Sequence, residues 1–301
     1  LRPDDLPRAL AAADRARRLD PSLNEAWFNR ALAATALSLH EQAKQAWTEY
    51  LARDSSSAWA AEARTRLNEL LKPTPAAAWA GIAQRLGGTL DATLADEAVR
   101  TQTTEARHLV DQELLPKWAA AVLTGRDASP EFARIQLMAA AFARVAGDSL
   151  YVDTVGAINR IESQGKAALG ALARAHADYA VAAALHAEDR FSEAAPGLSS
   201  ARAGFLAAGS PFASRAALDL STVLYVGGKA DDATILLDAV SRTANEAGYA
   251  YNRARASWVK GLLAVSQGRL GDAQSLYEST LDEFERMGDA EQVAFAHNLL
   301  A

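Results

Sequence analysis

The side chains that most often catalyse reactions or bind metals are dispersed along the 301-residue chain. The five histidines form no HExxH motif and no local cluster; they are His40, His108, His176, His186 and His297. Glu105 and His108 form one half of the carboxylate-bridged di-iron signature, but the second E-x-x-H half is absent. We therefore interpret this pair as part of a solvated helix face, and the histidines predict no metal site.

Phosphate-binding and nucleophile motifs are also missing. Gly165-Lys166 and Gly228-Lys229 lack the upstream Gly and the following Ser or Thr of a phosphate loop. No GxSxG or GxGxxG motif occurs, and the absence of Cys excludes a thiolate metal site and a Cys nucleophile from these residues. A helical enzyme would need a bound metal or clustered carboxylates with perturbed pKa values. The sequence instead predicts a protein that is not an enzyme and has no cofactor.

The composition favours helices. Half of the residues are hydrophobic, and alanine supplies most of that fraction, whereas residues that favour strands are sparse. The formal net charge of −6 comes from acidic and basic residues mixed along the chain, without a basic block for nucleic acid. No apolar run approaches the roughly 18 residues needed to cross a bilayer. We expect an all-α protein with no nucleic-acid or membrane partner; its compartment is unknown, with cytoplasmic as the default.

The sequence contains a helical repeat. The segment 24–55 reads as two amphipathic helices, with Trp27 and Ala31 in the first and Ala43 and Trp47 in the second. Ala9 lies 34 residues before Ala43 in an equivalent place. This pattern resembles the tetratricopeptide repeat (TPR), in which each unit is a helical hairpin with small and aromatic residues at fixed places. An Ala-rich helical bundle that matches the small positions by chance is the alternative.

The C-terminal third repeats at a longer period. Ala194, Ala233 and Ala273 are separated by 39 and 40 residues, and Gly261 and Tyr277 take the small and aromatic places of the last unit. The resemblance implies an all-α fold of helix-hairpin repeats stacked into a right-handed TPR-like superhelix, an α-α solenoid. The hairpins are predicted at residues 22–53, 170–208, 210–247 and 249–287.

Three segments are predicted from these repeats: N-terminal repeats at 1–72, a divergent helical segment at 76–165 and C-terminal repeats at 166–301. The Lys72-Pro73-Thr74-Pro75 break marks the first boundary. The middle segment has no readable repeat register, so degenerate hairpins and a separate helical domain both stay open. Pro116 is expected to end or kink the helix that contains it.

The resemblance also implies a binding surface, because TPR proteins line their inner wall mainly with the first helix of each hairpin. The corresponding residues are His176, Tyr179, Ala183 and His186, then Arg215, Leu218, Thr222 and Tyr225, and finally Arg255, Trp258, Leu262 and Val265. Two equivalent Arg residues beside aromatic rings would suit an acidic or C-terminal peptide. Alternatively, the aromatic residues pack between repeats and the Arg side chains are solvated.

The sequence therefore predicts a protein–protein interaction scaffold or regulatory module of a larger bacterial protein, with a protein or peptide partner for which an acidic segment is one candidate. The bacterial assignment follows from the alanine content and from the fact that only six of the 31 basic residues are Lys. Segments 24–63, 111–118 and 173–179 resemble bacterial proteins in which such repeats precede a caspase-like CHAT domain. The alternative is a TPR regulatory domain that senses a small molecule and controls an attached effector.

Overall fold

A computed structural model describes residues 5–72 and 75–300 of the chain, and these residues form helices joined by short turns, with no strand among them. The α-helices are α1 Leu6–Leu19, α2 Asn24–Ala36, α3 His40–Leu51, α4 Ala58–Leu71, α5 Pro75–Gly88, α6 Ala92–Thr101, α7 Thr103–His108, α8 Leu115–Thr124, α9 Ser129–Ala141, α10 Leu150–Glu162, α11 Lys166–Ala187, α12 Phe191–Ala207, α13 Phe212–Val226, α14 Ala230–Ala247, α15 Ala250–Ser266, α16 Leu270–Met287 and α17 Ala290–Leu300. Two π-helical segments lie at Leu109–Leu114 and Phe142–Ala146. No described helix is long and apolar enough to cross a membrane.

The chain divides into two compact units, Leu1–Ala78 and Trp79–Ala301. The predicted break at the Lys-Pro-Thr-Pro sequence is close to this division, although Pro73 and Thr74 lie outside the described residues. The segments predicted separately as 76–165 and 166–301 lie almost entirely in the second unit, because helices of the first segment pack on hairpins of the second.

The first unit contains the predicted hairpin at 22–53. Its helices α2 and α3 are joined at Ser38, which has a positive φ of 56°. Trp47 is fully buried and packs edge-to-face on Phe28, with ring centroids 5.1 Å apart. The indole Nε1 of Trp47 donates a hydrogen bond to Oγ1 of Thr35 at 3.0 Å, which satisfies its one polar atom. Ala43 is completely buried at the small position, as the repeat requires.

The second unit contains the other three predicted hairpins, formed by α11 with α12, α13 with α14 and α15 with α16. Gly261 packs directly on Tyr277: a Cβ atom added at Gly261 would lie 2.3 Å from Cε1 of the ring. Gly228 and Gly268 have φ angles of 75° and 72°, so they supply the left-handed residue that ends the first helix of each hairpin. The prediction of an all-α helix-hairpin repeat fold is confirmed.

The divergent middle segment is helical as expected, but Pro116 does not end its helix. The helical path continues from Thr103 to Thr124 and widens into the π-helical segment immediately before the proline. The N–H of Leu115 donates to the carbonyl of Val110, five residues back, which is the hydrogen-bond pattern of a π-helix. The extra residue in this turn accommodates the proline ring, so the helix changes its local geometry instead of breaking.

Candidate functional site

One cavity in the second unit is lined by three buried charged side chains, Arg107, Asp111 and Arg215. It lies between residues 103–114, which we call the docked segment (α7 and the first π-helical segment), and the first helices of the three C-terminal hairpins. We call the surface of α11, α13 and α15 that meets this segment the first-helix face. The cavity has a volume of about 160 Å³. Its lining residues are Thr104, Arg107, His108, Asp111, Gln112, Tyr179, Ala180, Ala183, His186, Ala187, Arg215, Asp219, Tyr251, Arg255 and Gln292.

A buried ion pair seats the docked segment on the first-helix face. Nη2 of Arg215 contacts Oδ2 of Asp111, with side-chain exposures of only 7% and 9%. Tyr151 donates its hydroxyl to the other carboxylate oxygen at 2.7 Å, and Oδ1 of Asn252 accepts from Nη1 of Arg215 at 3.3 Å. Burial raises the pKa of Tyr151 well above its ordinary value, and the charge of Asp111 raises it further, so this phenol remains a donor. Both charges are therefore paired and hydrogen-bonded, as burial requires.

A second buried pair joins the docked segment to the turn before α17. Nη2 of Arg107 lies 3.2 Å from Oδ2 of Asp289, and the two side chains are 3% and 1% exposed. Thr104 donates its hydroxyl to Oδ1 of Asp289 at 2.7 Å. Nε and Nη1 of Arg107 are buried without a hydrogen-bond partner. Arg107 therefore uses only part of its donor capacity within the described residues.

The ring of Tyr251 lies beside both buried guanidinium groups. The Cζ atoms of Arg107 and Arg215 are 3.8 Å and 4.3 Å from its centroid. The face of a π-system attracts cations, so this ring and the two carboxylates together allow two like charges to lie close to each other. Such stacking covers the faces of the guanidinium groups and leaves their in-plane N–H groups to be satisfied by other atoms.

Of the twelve inner-wall residues that the resemblance implies, the structure brings five to this cavity: Tyr179, Ala183, His186, Arg215 and Arg255. The Tyr179 hydroxyl donates to Oδ2 of Asp219 at 2.6 Å. The half-buried His186 packs on a neighbouring phenylalanine ring, and its Nε2 is buried without a partner. The Cζ atom of Arg255 lies 3.8 Å from the ring centroid of Trp258, and Arg255 makes no ion pair with any described residue.

His176 does not lie on a ligand-binding surface. It is 2% exposed and packs among the rings of Trp118, Phe205 and Phe212. Burial lowers its pKa to about 3, so the imidazole is neutral at physiological pH. His176 lies one helical turn before Tyr179, so helical spacing predicted it on the same face of α11. At His176, however, this face is covered by α8, α12 and α13. The docked segment likewise changes the role of Arg215, which is neither solvated nor free for a ligand.

The remaining predicted residues lie outside the cavity. Trp258 packs on Phe295 of α17, with ring centroids 4.3 Å apart, so this indole makes an inter-helix contact. Tyr225 is half-buried against the apolar cluster that contains Leu218, and Oγ1 of Thr222 is buried without a partner. The interpretation of the aromatic residues as packing between repeats therefore describes Trp258 and Tyr225 better than a role as free anchors.

Several residues of the site carry no signal in the sequence. Arg107, Asp111, Tyr251 and Asp289 come from different helices and turns, and none belongs to a repeat position. No group of three or more His, Cys, Asp or Glu side chains in the described chain could hold a metal ion.

No protein-family model and no curated protein sequence matches the chain. Among solved structures, the chain is similar to the one described as the crystal structure of the P58(IPK) TPR domain at 2.5 Å, with 13% sequence identity and a TM-score of 0.28. The match covers 98% of this chain and 94% of that chain. At this identity and TM-score the likeness indicates no function, and the repeat fold is established by the hairpins described above.

Proposed function

We propose that the chain is a protein–protein interaction scaffold or regulatory module of a larger bacterial protein and does not catalyse a reaction. It would hold a segment of a partner against the first helices of its C-terminal hairpins. The observation that carries this proposal is the buried contact between Arg215 and Asp111. The first-helix face already holds a helical segment through an acidic side chain, although that segment belongs to the same chain.

The acidic character of the expected partner follows from the side chains that remain available. Arg215 is neutralised by Asp111, whereas Arg255 is half-buried, held by the ring of Trp258 and without an ion pair among the described residues. A guanidinium group in a fixed orientation suits a carboxylate, because its planar fork makes two parallel hydrogen bonds. We therefore assign Arg255 as the contact for an acidic side chain of the partner.

The test compares two arginine variants in partner capture and titration. Partners retained by the parent chain are identified, and their affinities are measured for the parent and for Arg255→Ala at low and moderate salt. We expect the variant to lose about 1.5–3 kcal/mol, the range for hydrogen bonds to charged groups. Added salt should weaken parent binding, because it screens an exposed charge contact.

Arg242→Ala is the matched control, because Arg242 is exposed on the second helix of a hairpin and makes no ion pair with a described residue. It should bind like the parent. If Arg255→Ala and Arg242→Ala bind every identified partner as tightly as the parent does, then the first-helix face is not the partner site.

A second candidate function is supported by the cavity itself. The docked segment fills part of the first-helix face and leaves a space of about 160 Å³ beside three Arg side chains. This geometry suits a small ligand better than an extended peptide. A ligand in this space would contact both the docked segment and the hairpins, so its binding would change how firmly the two are held together. A domain with this property acts as a small-molecule sensor that controls an attached effector.

A further inference from the structure

We infer that the first unit has a docking site for a basic side chain, Lys or Arg, of a partner protein. The site is a pocket of about 290 Å³ between the first turns of α2, the end of α3 and the start of α4. The inference adds to the proposed scaffold function a contact made by the first unit alone, through residues that the Arg255 test does not alter. The pocket is lined by Asn24, Glu25, Phe28, Asn29, Tyr50, Asp54, Ser57 and Trp59.

Three aromatic rings form the apolar wall of this pocket. The ring of Phe28 packs edge-to-face on the rings of Trp59 and Tyr50, with centroids 4.8 Å and 5.2 Å away. Phe28 and Tyr50 are buried, whereas Trp59 is 61% exposed. The indole is therefore held in place by a buried ring and keeps most of its surface open to solvent. An accessible indole attracts cations more strongly than any other aromatic side chain.

The ionised side chains that line the pocket are both negative. Glu25 and Asp54 line it, whereas no described Arg, Lys or His side chain does. Every ion pair among the described residues of the first unit uses another carboxylate. Two arginines of the neighbouring turns are occupied elsewhere: Arg53 stacks on an indole ring outside the pocket, and Arg64 contacts a backbone carbonyl oxygen. The pocket therefore attracts a cation.

The two carboxylates have different roles. Asp54 accepts hydrogen bonds from the hydroxyl groups of Ser57 and Tyr50 and from two backbone N–H groups. These donors carry no charge, and together they lower the pKa of Asp54 to about 2, so its carboxylate stays ionised. Glu25 is exposed and makes no hydrogen bond with a described residue, so its carboxylate is free to contact a ligand. Asp54 contributes its charge, and Glu25 makes the direct contact.

The phenol of Tyr50 shows that both carboxylates act on the same part of the pocket. Burial and the hydrogen bond to Asp54 raise the pKa of Tyr50, and the charge of Glu25 raises it further. The Glu25 carboxylate therefore lies within electrostatic range of this hydroxyl. An ammonium or guanidinium group between Glu25 and the Trp59 ring would meet a carboxylate on one side and a π-system on the other.

A groove that adjoins the pocket indicates what carries the basic side chain. Glu25 and Asn29 line both. The groove has a volume of about 580 Å³, and half of its lining residues are alanines of α1 and α2. Arg66, which also lines the groove, is paired with Glu62. Small side chains allow another helix to approach closely. The partner segment is therefore a helix with small or apolar residues on the face that meets α1 and α2, and a basic residue that reaches the pocket.

The test is an NMR titration of the complete chain, read at the indole N–H of Trp59. The probe is an alanine- and glutamine-based helical peptide of roughly 15 residues with one Lys. The control peptides carry norleucine or Glu in place of the Lys. We expect the Lys peptide to shift the Trp59 signal, and added salt to weaken its binding. The norleucine peptide should bind at least about tenfold more weakly, because it loses the attraction of both the ring and the carboxylate.

Two variants test the two sides of the pocket. Glu25→Gln and Trp59→Leu should each weaken binding of the Lys peptide about twofold to fivefold, the range for an exposed cation contact. The affinity of Trp59→Leu is read from the backbone amide of Asn29. Glu41→Gln is the matched control and should bind like the parent: Glu41 is in the first turn of α3, as Glu25 is in the first turn of α2, but it lies outside the pocket. Circular dichroism checks that each variant is folded.

The outcomes separate this inference from the proposed scaffold function. Absence of a shift with the Lys peptide, equal binding of the norleucine peptide, or an affinity in Glu25→Gln or Trp59→Leu equal to that of Glu41→Gln would overturn the site. Butylammonium that binds as tightly as the peptide would also overturn it, because the pocket would then take a free amine. If partner capture still depends on Arg255 in any of these cases, the scaffold proposal stands and only the site in the first unit is wrong.

Discussion

Replacement of Asp111 by Ala is the most direct test of how the second unit is assembled. The substitution removes the carboxylate that neutralises the guanidinium group of Arg215 and accepts the hydroxyl of Tyr151. Both partners would stay buried, because the helices that carry them are packed elsewhere. The variant therefore leaves a charge and a hydroxyl in the interior without their acceptor.

The expected destabilisation follows from the burial of the pair. Removing one partner of a buried ion pair typically costs about 3–5 kcal/mol, because the other charge stays desolvated without compensation. An ordinary hydrogen bond alone would contribute only about 1 kcal/mol. Glu105→Ala, on the same segment, is the control: its carboxylate is 40% exposed, so we expect a change within about 0.5 kcal/mol. Replacing Asp111 by Leu together with Arg215 by Met should recover most of the loss, because neither charge of this pair is then left buried without its partner.

The free energy of unfolding is measured by denaturant titration, and hydrogen exchange of peptides covering residues 103–114 locates the effect. In Asp111→Ala these amides should exchange faster than in the parent. If Asp111→Ala costs no more than Glu105→Ala, or if exchange increases everywhere except in this segment, then the ion pair does not hold the docked segment and the assembly described here is wrong.

Two further predictions concern packing and pH. Ala233→Leu and Ala273→Leu should each lower the melting temperature, because overpacking a buried small position costs about 1–3 kcal/mol; if both variants melt like the parent, the repeat register is wrong. Folding lowers the pKa of His176 from 6.5 to about 3, so the unfolded chain protonates this imidazole at a higher pH than the folded chain does. The contribution of the neutral ring to stability is therefore complete above pH 6.5 and declines towards pH 3. His176→Leu should therefore lose less stability than the parent between pH 7 and pH 4.5 in denaturant titrations, and identical losses would contradict the assignment.

The hairpins could be predicted because their determinants are local. The small residue and the aromatic ring that meet in the last hairpin, Gly261 and Tyr277, are only 16 positions apart, and the turn glycine Gly268 lies between them. Helical periodicity places such residues on one face whatever the rest of the chain does. The same periodicity correctly placed Arg215 and Arg255 on the first helices of consecutive hairpins.

The contents of the groove could not be predicted, because they depend on contacts between distant parts of the chain. Asp111 and Arg215 are 104 residues apart, and Thr104 and Asp289 are separated by 185. No local pattern encodes such pairs. The repeat register identifies which side chains leave the first helices on one face, but it does not show that a helix of the same chain covers that face. For the same reason, the burial of His176 by Phe205 and Phe212 had no signal in the sequence.

The docked segment suggests how the proposed regulatory role would work. A partner that bound the whole first-helix face would have to displace residues 103–114 and leave Arg107 and Arg215 without Asp289 and Asp111. Because a guanidinium group that the partner buried without a carboxylate would cost free energy, a competing partner has to supply its own acidic groups. A ligand in the adjacent cavity, which contacts both the segment and the face, would bias that competition by its different affinity for the docked and released states. Control of partner binding would then lie in these two ion pairs.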